Sequence, residues 1–265
     1  MYAFELHQPK SISEAVALLA APDSRPLAGG QSLIAAMKLR LASPASLVDL
    51  GGIAELRGIR QEGDMLVIGA GNRHAEIAES AEVREAIPAL AWLAGEIGDL
   101  QVRNLGTLGG SLANNDPAAC YPAAVLALNA RIRTDRRMIA ADDFFKGMYE
   151  TALEGGEIIT AVEFPVPERA AYIKFLNPAS RFALAGVFVS RAKDGHVRVA
   201  VTGCAGCAFR AADLEKALEA DFSPDAAKAV KVSPDDLSSD LHASSAYRAH
   251  LIPVLAARAV AKALE

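Results

Sequence analysis

The sequence of 265 residues has little of several features that define whole classes of protein. Its three cysteines are too few for a small secreted domain held together by disulfides. Its 27 Lys and Arg residues are outnumbered by 32 Asp and Glu residues, so it lacks the cationic excess of a nucleic-acid-binding protein. The longest uncharged stretch, residues 117–130, contains Pro122 and Asn129 and is too short for a membrane helix. No basic, apolar signal peptide begins the chain, so a cytoplasmic location is expected.

Common motifs of catalysis and nucleotide binding are also missing. We find no GxxxxGK(S/T) phosphate loop, no GxSxG elbow and no metal-ligand spacing among the five histidines. Residues 69–71 (GAG) begin like a Rossmann fingerprint, but His74 stands where the third glycine belongs. Cys204 and Cys207 form a CxxC pair that follows a predicted strand, which favours a structural role over a zinc or redox site. With no catalytic acid, base or nucleophile identified, the chemistry of an enzyme would belong to a cofactor.

The upstream part of the chain mixes helices and strands. Ser11 and Glu14 form a capping-box pattern that predicts a helix start. Residues 61–64 predict the turn of a hairpin, and residues 83–97 predict one helix. Residues 101–116 are rich in glycine and asparagine and are predicted as a loop without regular structure.

A change of pattern follows residues 165–167 (PVP), which mark the best domain boundary. Beyond it the sequence predicts three strands, the last two joined by a turn at residues 194–195, and two helices over residues 211–220 and 246–264. This order is typical of an α+β unit with a three-stranded sheet and helices.

Two glycine-rich loops are the most informative features. Residues 28–32 (AGGQS) lie between an apolar segment and a helix, and residues 106–111 (GTLGGS) lie in the second loop. Consecutive glycines let a backbone approach a ligand closely, and a loop entering a helix presents N–H groups to an anion. Each Gly-Gly pair alone is also typical of a tight turn. Together the two loops indicate a site that closes on a diphosphate from both sides.

At these loops the sequence resembles the FAD-binding medium subunit of the molybdenum hydroxylases, the family of xanthine dehydrogenase and carbon monoxide dehydrogenase. The first match is residues 26–33 (PLAGGQSL) followed by residues 37–40 (MKLR). The second is residues 102–114 (VRNLGTLGGSLAN), which continues into Asp116 and Pro117. Two long motifs in the family's order make the resemblance specific, and weaker matches extend it nearly from end to end.

The resemblance implies a fold of the α+β class. An FAD-binding portion of the vanillyl-alcohol-oxidase (PCMH) type would occupy residues 1–165, in two subdomains of about 1–55 and 56–165. A C-terminal domain with a three-stranded sheet and helices would occupy residues 168–265. The boundary found at residues 165–167 agrees with this division.

The resemblance also implies which residues contact FAD. In relatives the first loop holds the pyrophosphate through backbone N–H groups, and the second supplies phosphate and ribityl contacts. An apolar residue and a lysine approach the isoalloxazine, where a cation stabilises the reduced flavin. The corresponding residues here are Leu27, Ala28, Gly29, Gly30, Gln31, Ser32, Leu33, Val102, Gly106, Thr107, Gly109, Gly110, Ser111, Asn114, Cys120, Ile159 and Lys174. For Ile159 a core position, and for Lys174 a solvated edge charge, are equally good interpretations.

Two positions depart from the family's pattern. Ser111 replaces the usual asparagine and can still form hydrogen bonds. Cys120 replaces the usual aspartate, and a neutral thiol is a weak hydrogen-bonding group. This replacement puts one polar contact to the flavin region in doubt and leaves the loops intact.

The resemblance implies an electron-transfer subunit with non-covalent FAD and no metal of its own. A small partner chain would carry 2Fe–2S clusters and a large one the molybdenum cofactor, in a dimer of heterotrimers. FAD would pass electrons to NAD, a quinone or dioxygen. Two alternatives remain at this point. A stand-alone flavin oxidase of similar fold would need polar groups that handle a substrate, and a non-catalytic assembly module would leave the cofactor site empty.

Overall fold

The computed structural model describes residues 1–265 and arranges most of its strands in three sheets with helices packed on them. The strands are β1 (Glu5–His7), β2 (Ser24–Leu27), β3 (Ser46–Asp49), β4 (Ile59–Glu62), β5 (Met65–Gly69), β6 (Arg131–Thr134), β7 (Met138–Ala140), β8 (Phe145–Gly147), β9 (Glu150–Thr151), β10 (Ile159–Pro165), β11 (Arg169–Leu176), β12 (Ala183–Arg191), β13 (Val197–Thr202) and β14 (Phe209–Arg210). The helices are α1 (Ile12–Leu19), α2 (Leu33–Lys38), α3 (His74–Glu79), α4 (Ala81–Ala86), α5 (Pro88–Gly95), α6 (Leu100–Arg103), α7 (Leu108–Asn114), α8 (Tyr121–Ala127), α9 (Ala141–Phe144), α10 (Ala212–Ala220), α11 (Pro224–Ala229) and α12 (Ser245–Leu264).

The first sheet is parallel, with strand order β1–β3–β2, and α1 packs beside it. Ser11 caps α1 by accepting a hydrogen bond from the Glu14 N–H at 3.2 Å, which confirms the predicted helix start. The Glu14 carboxylate accepts from the Lys10 N–H at 2.8 Å. Ala15 and Leu19 of α1 then pack with Val48 of the central strand in a small buried cluster.

The second sheet is antiparallel, with strand order β4–β5–β10–β6–β7. Strands β4 and β5 form the hairpin predicted around residues 61–64, with Gly63 at φ +59° in its turn. Helices α3 to α5, α7 and α8 contribute side chains to the largest buried cluster of the molecule, together with this sheet. The helices position the glycine-rich residues that follow β5.

Two predictions in this region are wrong. Residues 101–116 contain most of α6 and all of α7. Asp99 and Thr107 cap the two helices, and the buried Leu108 and Leu112 offset the low helix propensity of glycine. Residues 83–97 contain two helices, α4 and α5, instead of one. Pro88 lacks an N–H and restricts Ile87 before it, which adopts φ −143° and ends α4.

The third sheet is antiparallel, with strand order β11–β12–β13–β14. It therefore has four strands where three were predicted. The extra strand has only two residues, paired as Phe209 with Val201 and Arg210 with Ala200, and is too short to show a pattern in the sequence. Helices α10 to α12 cover the face that carries Val199 and Val201, in a second large buried cluster.

The other face of this third sheet packs against the helices of the preceding region. Tyr172, Phe188 and Ala200 belong to the same buried cluster as α5 and α8. The turn at residues 194–195 forms as predicted, with Gly195 at φ +90°. No helix of the chain is both long and apolar enough to cross a lipid bilayer.

Candidate functional site

The two glycine-rich loops touch each other. We call residues 28–33 the first glycine loop and residues 106–111 the second glycine loop. A Cβ added to Gly29 would lie 2.1 Å from the Leu105 carbonyl oxygen and 2.7 Å from the Gly106 Cα. A Cβ added to Gly110 would lie 3.5 Å from the Ala28 Cβ. The two backbones are therefore so close that glycine is required at Gly29.

The first glycine loop carries a row of free hydrogen-bond donors. The N–H groups of the five residues from Ala28 to Ser32 donate to no acceptor within the chain. The loop conformation is held by Gly30 at φ +70° and by the Ile34 N–H, which donates to the Gly30 carbonyl at 3.0 Å. Gln31 and Ser32 are exposed. Free N–H donors on a tight, partly exposed loop form a binding site for an anion.

The second glycine loop has used most of its N–H groups internally. Gly106 donates to Val102 at 2.8 Å, and Gly109 donates to Ala70 at 2.8 Å. Gly110 donates to the Thr107 hydroxyl at 3.1 Å, as the cap of α7 requires. What this loop offers a ligand is therefore side chains. The Ser111 hydroxyl and the Asn114 amide are part-exposed and free of hydrogen bonds within the chain.

His74 and Ala70 pack against the glycines of the second glycine loop. A Cβ added to Gly106 would lie 2.6 Å from the His74 Nε2, and one added to Gly109 would lie 2.7 Å from the Ala70 Cβ. The His74 N–H donates to the Gly106 carbonyl at 3.0 Å. Burial lowers the pKa of His74 to about 4, with a smaller effect of the Arg103 charge, so the ring is neutral at pH 7.

Cys120 and Lys174 meet although 54 residues separate them. The Lys174 Nζ lies 3.8 Å from the Cys120 Sγ and donates to the Arg181 carbonyl at 3.1 Å and to the Glu96 carbonyl. All three partners are neutral, and Lys174 forms no ion pair within the chain. Burial raises the pKa of the Cys120 thiol, although the Lys174 charge opposes this effect, so Cys120 stays a neutral thiol.

Two buried hydroxyl groups adjoin this pair. Tyr121 follows Cys120 directly, Tyr172 lies on the same strand as Lys174, and the hydroxyl oxygens of both tyrosines have no hydrogen-bond partner. The Tyr121 ring also lies 5.3 Å from the His74 ring, centroid to centroid. The second glycine loop, His74 and the Cys120–Lys174 pair are thus connected through one continuous set of contacts.

The remaining predicted site residues are placed as follows. Val102 is half-buried on α6 and its carbonyl receives the Gly106 N–H, so it belongs to the second glycine loop. Leu27 flanks Gly30, with its Cδ1 3.3 Å from a Cβ added there, and Leu33 begins α2. Ile159 is buried at the start of β10 in the same apolar cluster as Leu108, and the neighbouring Thr160 carbonyl accepts from the Ala70 N–H.

Sequence reasoning missed the residues that anchor the second glycine loop. The Ala70 and Asn72 carbonyls accept from Gly109 and Leu108, and the Asn72 side chain donates to the Gly58 and Gly69 carbonyls. The available signal was Gly69 and Ala70 with His74, which fails as a Rossmann fingerprint but is one of the weaker matches to the family. The Asn115 amide, which ties α7 to Gly147 and Glu150, had no signal in the sequence.

No cluster of metal ligands accompanies this site. The chain brings no three His, Cys, Asp or Glu side chains together in an arrangement that would hold a metal ion. Burial raises the pKa of Cys204 to about 12, which makes the first thiol of the CxxC pair unreactive. Both thiols of the pair are free.

Comparison with known proteins gives a family for the chain. Residues 2–167 match the family described as the FAD binding domain in molybdopterin dehydrogenase. The carbon monoxide dehydrogenase medium chain of Hydrogenophaga pseudoflava is 41% identical over 78% of this chain and 77% of its own. The nicotine 6-hydroxylase medium subunit of Paenarthrobacter nicotinovorans is 38% identical over 98% of this chain and 97% of its own.

Solved structures agree over nearly the whole chain. Carbon monoxide dehydrogenase from Hydrogenophaga pseudoflava aligns with a TM-score of 0.89 and 36% identity, over 99% of this chain and 98% of the matched chain. Quinoline 2-oxidoreductase from Pseudomonas putida 86 aligns with a TM-score of 0.88 and 31% identity, over 99% and 97%. These matches confirm the predicted mixture of helices and sheets and the family resemblance. The chain belongs to the FAD-binding medium subunits of the molybdenum hydroxylase family and is a component of an oxidoreductase.

Proposed function

We propose that this chain holds FAD at the junction of its two glycine loops and passes electrons between iron–sulfur clusters on a partner chain and a final acceptor. The acceptor would be NAD, a quinone or dioxygen. FAD, when bound, supplies the redox chemistry, and the protein supplies binding, orientation and electrostatics. The proposal rests on one observation above all, which is the row of free N–H donors from Ala28 to Ser32.

These donors fit the pyrophosphate of FAD. The diphosphate carries negative charge on several oxygens, and hydrogen bonds to charged acceptors are about twice as strong as neutral ones. Gly29 and Gly30 have no side chains that would fill the space above the backbone, and no carboxylate lies in the first glycine loop to repel the phosphates. The residues present therefore fit the group that the family implies.

The second glycine loop would contribute through its side chains. Ser111 and Asn114 have free polar groups for the phosphates and the ribityl chain, and Thr107 fixes the start of α7. Gly106, Gly109 and Gly110 permit the close packing that brings these groups to the first loop. Leu27, Leu33, Val102 and Ile159 would be the apolar neighbours of the cofactor.

Lys174 and Cys120 support a flavin position near α5 and α8. A half-buried ammonium whose partners are all neutral remains available to stabilise negative charge on a bound ligand. Reduction places such charge on the pyrimidine part of the isoalloxazine. Because Cys120 is neutral, it does not compensate the charge of Lys174.

We divide the chain into an FAD-binding portion of the vanillyl-alcohol-oxidase type at residues 1–165 and a C-terminal domain at residues 168–265. Subdomains of about 1–55 and 56–165 form the first portion. The buried cluster under α12 lies wholly within residues 168–265 and supports this division, although the largest cluster crosses the boundary through Tyr172 and Phe188. The family match ends at residue 167, next to the proposed boundary.

The partners would be an iron–sulfur small subunit and a molybdopterin-binding large subunit, assembled as a dimer of heterotrimers. The names of relatives as medium chains and medium subunits support partner chains of other sizes. The cytoplasmic location expected from the sequence stays a prediction.

The visible spectrum of the purified chain tests the proposal. We expect the absorption band of oxidised flavin, and the flavin should be released on denaturation because nothing links it covalently. Absence of the band after incubation with FAD would refute the proposal and favour a non-catalytic assembly module. Flavin binding without co-purifying molybdenum and iron–sulfur chains would favour a stand-alone oxidase.

A further inference from the structure

A row of three residues crosses the third sheet beside Cys120. Lys174 of β11 pairs with Gly186 of β12, which in turn pairs with Thr202 of β13. Residues directly opposite each other in antiparallel strands point to the same face of a sheet, so the three share one face. This is the face that packs against α5 and α8, because Lys174 and Thr202 both contact the region before the sheet. We call Lys174, Gly186 and Thr202 the cross-strand row.

Thr202 holds the turn that leads into Cys120. Its side chain is fully buried, and its hydroxyl lies 2.6 Å from the Ala119 carbonyl oxygen and 3.0 Å from that of Pro117. A hydroxyl has a single proton, so the two carbonyls share one donor. The Gly203 N–H donates to the same Pro117 carbonyl at 2.8 Å. The end of β13 therefore fixes the backbone just before Cys120, although 83 residues separate Thr202 from Ala119.

The opposite end of the cross-strand row contacts the Cys120 side chain. The Lys174 Nζ lies 3.8 Å from the Cys120 Sγ, while Thr202 holds the backbone one residue before Cys120. One sheet thus sets the positions of both groups, Lys174 directly and Cys120 through the Ala119 carbonyl. Loss of the Thr202 hydroxyl should therefore loosen the packing of Cys120 on Lys174.

The middle position of the cross-strand row requires glycine. A Cβ added to Gly186 would lie 2.6 Å from the Tyr172 hydroxyl oxygen and 2.9 Å from the Thr202 Cγ2. Glycine in the interior of a strand weakens the strand and commonly marks a close approach of other groups. Here it leaves the space that the Tyr172 and Thr202 side chains occupy. The position of the Thr202 hydroxyl therefore depends on Gly186 as well.

We propose that Thr202 is a positioning residue for the flavin site, because it keeps Cys120 packed against Lys174 and so limits the access of water to the Lys174 charge. This inference rests on the proposed function, in which that charge stabilises the reduced flavin. A charge acts more weakly through water than through the protein interior, because water has the higher dielectric constant. Movement of the turn before Cys120 would admit water and weaken the effect of Lys174 on bound FAD.

Thr202→Val tests this role, since it removes the hydroxyl and nearly keeps the shape of the side chain. In the purified full-length chain, alkylation of Cys120 by iodoacetamide, followed by mass spectrometry, should become about 10-fold faster, because the displaced turn exposes the thiol. With FAD bound, the equilibrium constant for two-electron reduction should fall about 10-fold, which corresponds to a midpoint potential lower by about 30 mV. In a Lys174→Met background the same change should leave the potential unaltered, because no charge remains to be screened.

Ser190→Ala is the matched control at the other end of α8. The buried Ser190 hydroxyl donates to the Ala127 carbonyl at 2.5 Å, so this variant also removes one hydroxyl–carbonyl bond between the same sheet and the same helix. Ala127 ends α8, whereas Cys120 precedes it. Ser190→Ala should therefore lose stability but keep the wild-type potential and Cys120 alkylation rate. Thr202→Ser keeps the hydroxyl and should match the wild type in both measurements.

Three results would overturn the inference. They are wild-type alkylation and potential in a folded Thr202→Val variant, equal changes in Ser190→Ala, and an equal shift of potential in the Lys174→Met background. If Thr202→Val does not fold, Gly186→Ala in a Tyr172→Phe background carries the test, because its Cβ would displace the Thr202 side chain. Tyr172→Phe alone is then the reference.

Failure of the proposed function gives a different result. Absence of FAD binding in the wild-type chain would refute the proposed function, while faster Cys120 alkylation in Thr202→Val would still support the contact made by Thr202. FAD binding with unchanged alkylation and potential in that variant would refute only the positioning role. The two failures are therefore distinguishable.

Discussion

The contact between Gly29 and the second glycine loop yields the sharpest prediction, the effect of Gly29→Ala. The added methyl group would lie 2.1 Å from the Leu105 carbonyl oxygen. Carbon and carbonyl oxygen atoms that touch without overlap are about 3.3 Å or more apart. The loops must therefore separate by about 1 Å, and the free donors of the first loop would move away from the groups that Ser111 and Asn114 offer.

The expected magnitude follows from the hydrogen bonds. Each bond to a charged acceptor contributes about 1.5–3 kcal/mol, so misaligning two of them costs about 3–6 kcal/mol. The dissociation constant for FAD should then rise at least about 100-fold. Forcing a methyl group into this packed junction should also lower the free energy of unfolding by about 1–3 kcal/mol.

Fluorescence quenching of FAD titrated with apoprotein measures the affinity, and thermal melting reports the fold. Gly206→Ala is the matched control, because a Cβ at Gly206 meets no atom within 4 Å. If Gly29→Ala does not fold, Gly110→Ala carries the test, since its Cβ lies 2.9 Å from the Thr107 hydroxyl and touches the same junction less severely. Wild-type FAD affinity in a folded Gly29→Ala variant would refute the assignment of this site.

Three further predictions concern titratable groups. Cys120→Asp should lower the midpoint potential of bound FAD by roughly 30 mV, equivalent to about 1.4 kcal/mol for two electrons, because the new carboxylate compensates the Lys174 charge. A redox titration measures the midpoint potential. An equal shift when Cys120→Asp is made in a Lys174→Met background would contradict this explanation. The free energy of unfolding should fall by up to about 3 kcal/mol as the pH is lowered from 6.5 to 4. In this range His74 takes up a proton in the unfolded chain, where its pKa is 6.5, but stays neutral in the folded chain, where its pKa is about 4. Urea unfolding at several pH values measures this fall in the free energy of unfolding for the wild type. The fall should be absent in the His74→Phe variant. A thiol reagent should modify only Cys207 in the native chain and all three thiols after unfolding. Cys120 and Cys204 are buried and their pKa values are raised, so they react slowly in the folded chain. Rapid modification of a second thiol in the native chain would contradict this prediction.

Local features of the fold were predictable where short-range chemistry decides them. The Ser11 cap, the hairpin after β4 and the Gly195 turn depend on residues within a few positions of one another, and each formed as expected. The division of residues 83–97 into two helices was also within reach, because Pro88 restricts Ile87 whatever surrounds it.

Predictions failed where packing overrode local preference. Residues 101–116 have a composition typical of loops, yet burial of Leu108 and Leu112 and the cap from Thr107 stabilise α7. The two-residue strand β14 exists because β13 presents an edge for it, and no pattern in its own sequence indicates it.

The sequence by itself determined that two glycine-rich loops exist and that they match one family's motifs in order. These are properties of residue type and spacing. Only the tertiary structure decided that Gly29 lies against Leu105 and that Lys174 has only neutral hydrogen-bond partners. It also decided that the first glycine loop keeps free N–H donors, whereas N–H groups of the second loop donate to the carbonyls of Ala70 and Val102. Hydrogen-bond partners and charge pairs depend on segments far apart in the chain, and packing sets their distances.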